Sequence, residues 1–283
     1  MNTAAAIFTF IDDRHYRQLS PRTIDAYKWA LYYLDAYIPT LPTNRADIRK
    51  LIADQLHLNP VSKLNLWIRL RVFFNWTTEE WGHPNPFHRL PRPKIPNQYP
   101  RTLRATDIAA LMDAALTRRD RALVAVALDT GVRLAELTSM LWEGVTHQTI
   151  QVTGKNGQRT VPTTAGVRQL LVGLGDARHV WTGRKGPLTT SGVQAAIRKT
   201  MYRAGFHPPR NGPHTLRHTF GTEFIRRGGN PYTLQQILGH TTISTTMLYV
   251  HMARVDLIEQ HAKYSPMANL DLLTRQLPLE KQA

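Results

Sequence analysis

The chain contains no cysteine, which excludes disulfides, thiolate metal sites and a cysteine nucleophile. Long apolar runs are missing as well. Nothing approaches the roughly 20 residues of a membrane-spanning helix, and residues 1–11 carry neither a basic flank nor a small-residue cleavage pattern. This predicts a soluble, unsecreted, cytoplasmic protein with no membrane partner. Acidic residues are scarce, 20 Asp and Glu against 36 Lys and Arg, for a net charge of +16 over 283 residues. The scarcity is local: residues 151–250 hold 13 basic and 2 acidic side chains, whereas 101–150 hold 6 and 6, and 251–283 hold 4 and 4. A basic face kept for solubility does not require acids to be so rare over that stretch. The pattern points to a polyanionic partner, nucleic acid above all.

Local patterning divides the chain. Ser20 and Pro21 read as N-cap and first helical residue, followed by Ile24, Tyr27, Leu31, Leu34 and Ile38 at helical spacing. Further helices are predicted over 46–56 and 61–76. The first part is therefore all-helical and moderately basic, the composition of a small DNA-contacting bundle. Six prolines follow, Pro84, Pro86, Pro91, Pro93, Pro96 and Pro100. Each fixes φ and removes a backbone donor, so the stretch is predicted to be an extended connection. Arg89, Arg92, Lys94 and Arg101 make it basic. The resulting plan is a helical domain over 1–90, a linker over 91–101 and a second domain over 102–283.

In that second domain helices are predicted over 105–115, 119–129 (stopping at Gly131), 134–142, 191–203, 215–227, 233–238 and 242–251. Strands are expected at 149–153 and 159–162, around the turn Gly154-Lys155-Asn156-Gly157. The fold class is mainly α with a small antiparallel β-sheet.

Five segments carry candidate chemistry. Arg133 follows the Gly131 break at a helix start, where backbone donors and a guanidinium converge on a phosphate, and Glu136 lies one turn on. Taken alone this is an ordinary helix start with an ion pair. Lys155 sits at a hairpin tip, where most lysines are simply solvated. His214 and Arg217 share a helical face. His214 and His218 also have metal-binding spacing, but Thr215 stands where a zinc hydrolase needs its glutamate base, and the cationic surroundings oppose a metal. Leu238-Gly239-His240 opens one more segment and Tyr249, followed by His251, closes it. A lone helical tyrosine is usually half-buried core.

Together these residues resemble the tyrosine recombinase family, which includes phage integrases and Xer-type enzymes. Thr130-Gly131-Val132-Arg133-Leu134-Ala135-Glu136-Leu137 is similar to the segment holding its first catalytic arginine. Lys155 corresponds to its hairpin lysine, and His214-Thr215-Leu216-Arg217-His218-Thr219-Phe220 to its His-x-x-Arg box. Leu238-Gly239-His240 matches the Leu-Gly-His box, and Tyr249, nine residues later, the nucleophile. The similarity is close over 102–251 and looser over 19–76, which resembles the family's SAM-like helical core-binding domain. The length leaves no room for the extra N-terminal arm-binding domain of some phage integrases.

The resemblance implies an α/β catalytic domain that cuts and rejoins double-stranded DNA without metal or cofactor, using Arg133, Lys155, His214, Arg217, His240 and Tyr249. Such chemistry must neutralise the two non-bridging phosphate oxygens and protonate the leaving group. Arg133 and Arg217 suit the first task bidentately, and His240 adds a hydrogen bond. The same cations are expected to favour the Tyr249 phenolate, with His214 accepting or relaying its proton and Lys155 donating one to the 5′ oxygen. By resemblance the product is a 3′-phosphotyrosyl bond, and strands exchange through a Holliday junction in a homo-tetramer, alone or with a second recombinase or accessory protein. Residues 255–264 would then dock onto a neighbouring protomer. The related alternatives are a type IB topoisomerase, or an inert DNA-binding protein that keeps the fold.

Overall fold

The computed structural model describes residues 2–94, 100–154, 157–176, 178–208, 211–253 and 257–265, with backbone only over 257–260. Two compact units divide the chain, Met1–Gln98 and Tyr99–Ala283. The first is four helices: α1 (Thr3–Tyr16), α2 (Pro21–Tyr37), α3 (Arg45–Asp54) and α4 (Pro60–Trp81). Asn2, Ser20, Asn44 and Asn59 cap them in turn, each side-chain oxygen accepting a first-turn N–H. Their common core contains Phe10, Leu31, Leu34, Ile48, Leu51, Leu70 and Phe73. Phe10 alone meets Tyr27, Phe73 and Trp76 edge-on, each at 5.2 Å. Sequence reasoning missed α1, because its buried seam is only Thr3, Ala6, Phe10 and Arg14, too narrow and polar to read as an amphipathic stripe. It also ended α4 at Trp76, whereas the helix continues to a left-handed Gly82 at φ 63°.

The second unit runs α5 (Ala105–Asp113), α6 (Arg118–Thr130), α7 (Leu134–Thr138), a 3₁₀ turn (Trp142–Gly144), β1 (Thr149–Gly154), β2 (Gly157–Pro162), α8 (Ala165–Leu171), β3 (Thr182–Gly183), β4 (Gly186–Pro187), α9 (Thr190–Arg203), α10 (Pro213–Arg226), α11 (Pro231–Leu238), α12 (Ile243–Ala253) and α13 (Leu257–Tyr264). The fold is thus mainly α with small antiparallel sheets. β1 and β2 pair from Thr149↔Pro162 to Gly154↔Gly157. α6 is buried without a break from Ala122 to Ala127 and forms the centre, with α8, α9 and α10 packed around it. α7 is shorter than the predicted 134–142. The indole of Trp181 donates to Leu137 O at 2.7 Å, Val180 N–H donates to Met140 O, and Leu141 bridges to His179. These tertiary bonds take backbone groups that a longer helix would need. A separate small core joins Ile225, Leu234, Leu238, Tyr249 and Ala253. No helix among the described residues is long and apolar enough to cross a membrane.

Candidate active site

Two breaks between helices, the β1–β2 hairpin and α10 build the site. α6 ends at Gly131, left-handed at φ 60°, where an added Cβ would stand 2.4 Å from Phe220 and 2.7 Å from Leu238. Glycine is therefore required there twice, by conformation and by close approach. The turn delivers Arg133 as the N-cap of α7. Glu136, 2 % exposed, accepts the Arg133 backbone N–H at 2.7 Å and its Nη1 at 3.0 Å. Arg133 Nη2 donates to Gly239 O at 2.9 Å. Its side chain keeps 39 % exposure, so donors remain on the open side of the guanidinium.

The second oxygen of Glu136 accepts Arg159 Nη2 at 2.7 Å. Arg159 comes from β2, and its Nη1 donates to Ile237 O. One buried carboxylate thus holds two guanidiniums from different elements, and burial draws the Arg159 pKa down while Glu136 opposes that. Sequence reasoning did not single out Arg159. In the sequence it is marked only as the arginine that opens the second predicted strand. The hairpin passes so close that a Cβ at Gly154 would meet Glu136 Oε1 at 2.8 Å. Lys155, the next residue, lies outside the described residues.

Arg217, on α10 and 6 % exposed, donates to Leu238 O at 2.8 Å and, through the same nitrogen, to His240 Nε2 at 3.0 Å. Its other terminal nitrogen reaches Gly131 O. Burial, and then repulsion from Arg133, lower its pKa to about 10, so it stays cationic at neutral pH. An arginine only donates, so His240 Nε2 must be the acceptor. The ring proton then sits on Nδ1, which donates to Thr246 Oγ1 at 2.8 Å. Burial and the arginines hold the His240 pKa at about 4, in keeping with a neutral ring. A left-handed Gly239, φ 63°, turns the chain from α11 to place it.

Tyr249, on α12, is 2 % exposed. Its ring lies nearly parallel to His240, 7° apart with centroids at 6.2 Å. Across α10 it lies against Gly221, where a Cβ would be 2.7–2.8 Å from three ring atoms. The Arg217 guanidinium lies beside the phenolic oxygen and favours its ionised form, and His218 Nδ1 lies 3.2 Å from it. The net pKa shift is upward. Burial outweighs the charges of Arg217 and Arg133, which pull the other way. The expected bias toward phenolate is therefore reversed by desolvation, a contribution that spacing alone does not reveal.

The structure brings Arg133, Arg217, His240 and Tyr249 together. His214 lies at the exposed start of α10, close enough to lower the His218 pKa. A cleft of about 220 Å³ opens beside the cluster, lined by Arg133, Glu136, Gly157, Gln158, Arg159, Gly239, His240 and Thr241. Two arginines and a histidine edge that opening, the equipment to bind an anion of phosphate size.

Fold and site together describe a mainly helical protein with an anion-binding arginine cluster beside a buried tyrosine, and comparison with known proteins gives its family. Residues 101–255 match the phage integrase family model. The chain is 31% identical over 270 residues to a tyrosine recombinase XerC of Xanthomonas axonopodis pv. citri, covering 83% of this chain and 88% of that protein. It is 27% identical over 289 residues to a tyrosine recombinase XerD of Shewanella oneidensis, covering 92% and 96%. Among solved structures, a lambda integrase tetramer bound to a Holliday junction shares the fold, with a TM-score of 0.73 at 17% identity over 86% of this chain and 79% of that one. The chain belongs to the phage integrase family and is a site-specific DNA recombinase of the tyrosine type.

Proposed function

We propose that this recombinase cuts and rejoins double-stranded DNA at a specific site through a covalent bond between Tyr249 and the 3′ phosphate. The observation that carries the reading is the clustering of Arg133, Arg217 and His240 around buried Tyr249. Arg217 bonds His240 at 3.0 Å and places its charge beside the Tyr249 hydroxyl, and Arg133 is tied to Gly239 at 2.9 Å in the same turn. Arg133 and Arg217 neutralise the non-bridging oxygens. Once a phosphate draws Arg217 away from its Nε2, His240 carries its ring proton on Nε2 and donates it to the phosphate, with the Thr246 hydroxyl donating to Nδ1 in exchange. Lys155 protonates the departing 5′ oxygen, and His214 contacts the phosphate from the start of α10. Phosphorus exchanges one ester for another, so rejoining consumes no ATP, and the guanidiniums supply the charge neutralisation that a metal supplies elsewhere.

The helical unit and the basic 91–101 linker contact the DNA backbone, and the field of residues 151–250 adds to that binding. Four protomers exchange strands through a Holliday junction, the DNA to which the lambda integrase tetramer is bound. Residues 255–264 dock each protomer onto the next. The enzyme works on the DNA of the cytoplasm or nucleoid.

The test begins with selection of bound sites from a random DNA pool. The recovered site is then placed on two plasmids and incubated with the protein, EDTA and no ATP. Recombinant plasmids are expected. Relaxation of supercoils without recombinants would instead mark a topoisomerase, and binding without cleavage an inert DNA-binding protein.

A further inference from the structure

The family comparison absorbs His214 and leaves His218 without a role, yet His218 is the histidine whose nitrogen lies 3.2 Å from the phenolic oxygen of Tyr249. The rings meet at 5.8 Å between centroids, tilted by 44°. His218 sits one residue after Arg217 on α10, half-buried, while His214 lies one turn earlier on the exposed end of the helix. Burial and the available partners assign direction to the bond. The Arg217 guanidinium beside the phenolic oxygen offers only donors and cannot take its hydrogen. The hydroxyl hydrogen of a tyrosine 2 % exposed needs an acceptor of its own, and His218 Nδ1 is at hand. That makes His218 the Nε2–H tautomer, with its lone pair on the reacting atom.

We propose that His218 is the catalytic base that receives the phenolic proton of Tyr249. The inference rests on Tyr249 being the nucleophile. In the forward step the Tyr249 O–H bond breaks, the O–P bond forms and the bond from phosphorus to the 5′ oxygen breaks. The phenolic proton goes to His218 Nδ1, and the 5′ oxygen takes its proton from the general acid, proposed above to be Lys155. Religation reverses each transfer, so protonated His218 returns its proton to the leaving tyrosine.

The charged and titratable groups around the ring are His214 and Arg217 on its own helix, His240 on the α11–α12 turn, and Tyr249. Burial, followed by His214 and Arg217, holds its pKa at about 4, while burial raises that of Tyr249. Both shifts keep the proton on the tyrosine. Transfer is uphill until a phosphate anion enters, neutralises the two arginines and accepts the oxygen's attack. A base tuned in this way guards the nucleophile against reaction with anything that does not also engage Arg217.

Single-turnover adduct formation on a nicked suicide substrate carrying the selected site tests the role. His218→Asn places an amide oxygen near Nδ1 and keeps a hydrogen-bond acceptor there, but provides no base. The expected result is an adduct still carried by Tyr249 but formed about 10²–10⁴-fold more slowly. Its rate should climb with pH as hydroxide takes over proton removal, more steeply than wild type. A rate within about threefold of wild type with the same pH profile would reduce His218 to a hydrogen-bond partner and overturn the proposal. So would transfer of the whole pH-dependent loss to His214→Asn. Should Tyr249→Phe form the adduct undiminished, the nucleophile assignment itself fails, a different outcome from either. A measurement on the unmutated chain covers the case in which His218→Asn does not fold. Nitrogen NMR of histidine-labelled protein should show His218 as the Nε2–H tautomer, and the Nδ1–H tautomer would contradict the proposal.

Discussion

Replacing Gly221 by alanine sets two effects of opposite sign against each other at the candidate nucleophile. Inside a helix alanine is favoured over glycine by about 0.8–1 kcal/mol, and Gly221 lies in the middle of α10. With open space beside it the variant would be the more stable protein. The added Cβ would instead stand 2.7–2.8 Å from Cε1, Cδ1 and Cζ of Tyr249, where carbon atoms pack at about 3.5–4 Å. The ring must retreat by roughly 1 Å. It is 2 % exposed, with His240 nearly parallel to it, so it has packed neighbours to displace. Overpacking of this kind costs about 1–3 kcal/mol. The balance is a destabilisation of up to about 2 kcal/mol, together with a shift of the phenolic oxygen large enough to slow cleavage about 10²-fold. Urea unfolding measures the first and single-turnover cleavage the second. A Gly221→Ala protein that is more stable and cleaves at the wild-type rate would refute the packing argument for Tyr249.

Arg159→Ala removes one of two guanidiniums from buried Glu136 and is expected to cost about 3 kcal/mol in urea unfolding, the low end for a broken buried pair because Arg133 remains. Arg159→Lys should recover only part of it, since an ammonium cannot reproduce the forked contacts to Glu136 and Ile237; a loss below about 1 kcal/mol for the alanine variant would discount the clamp. For Lys155, substitution of sulfur for the bridging 5′ oxygen separates acid catalysis from phosphate binding, because a thiolate departs without protonation. Lys155→Ala should be strongly impaired on ordinary DNA and largely rescued on the sulfur substrate, with Arg133→Ala and Arg217→Ala rescued less. Equal impairment on both substrates would leave the lysine as a phosphate clamp.

Much of the molecule is legible in the sequence wherever the signal is local. The Ser20 cap, the Gly131 stop and the two strands of the β1–β2 hairpin each encode their own geometry within a few positions. The order of the boxes around Arg133, His214, Arg217, His240 and Tyr249 carries the family resemblance. What stays hidden depends on contacts distant in sequence. Arg159 reaches Glu136 across 23 residues, and Gly221 is needed only because Tyr249 folds back onto it from α12. The protonation of Tyr249 is misjudged from sequence for the same reason: positive neighbours are visible in a motif, whereas desolvation belongs to the packed structure. His218 stands out in the sequence for its spacing from His214, and only the three-dimensional arrangement puts its nitrogen against a reacting atom. α7 stops early because Trp181 and Val180, some forty residues on, capture carbonyls just beyond and within its end.

The central claim is that Tyr249 becomes covalently joined to DNA. The direct measurement is recovery of the SDS-resistant adduct formed on the nicked suicide substrate, followed by proteolysis and mass spectrometry of the peptide that carries the nucleotide. The mass should fall on the α12 peptide with the modification at Tyr249, and Tyr249→Phe should bind the same DNA and yield no adduct. A phosphotyrosyl bond at any other residue, or an undiminished adduct in Tyr249→Phe, would contradict the account.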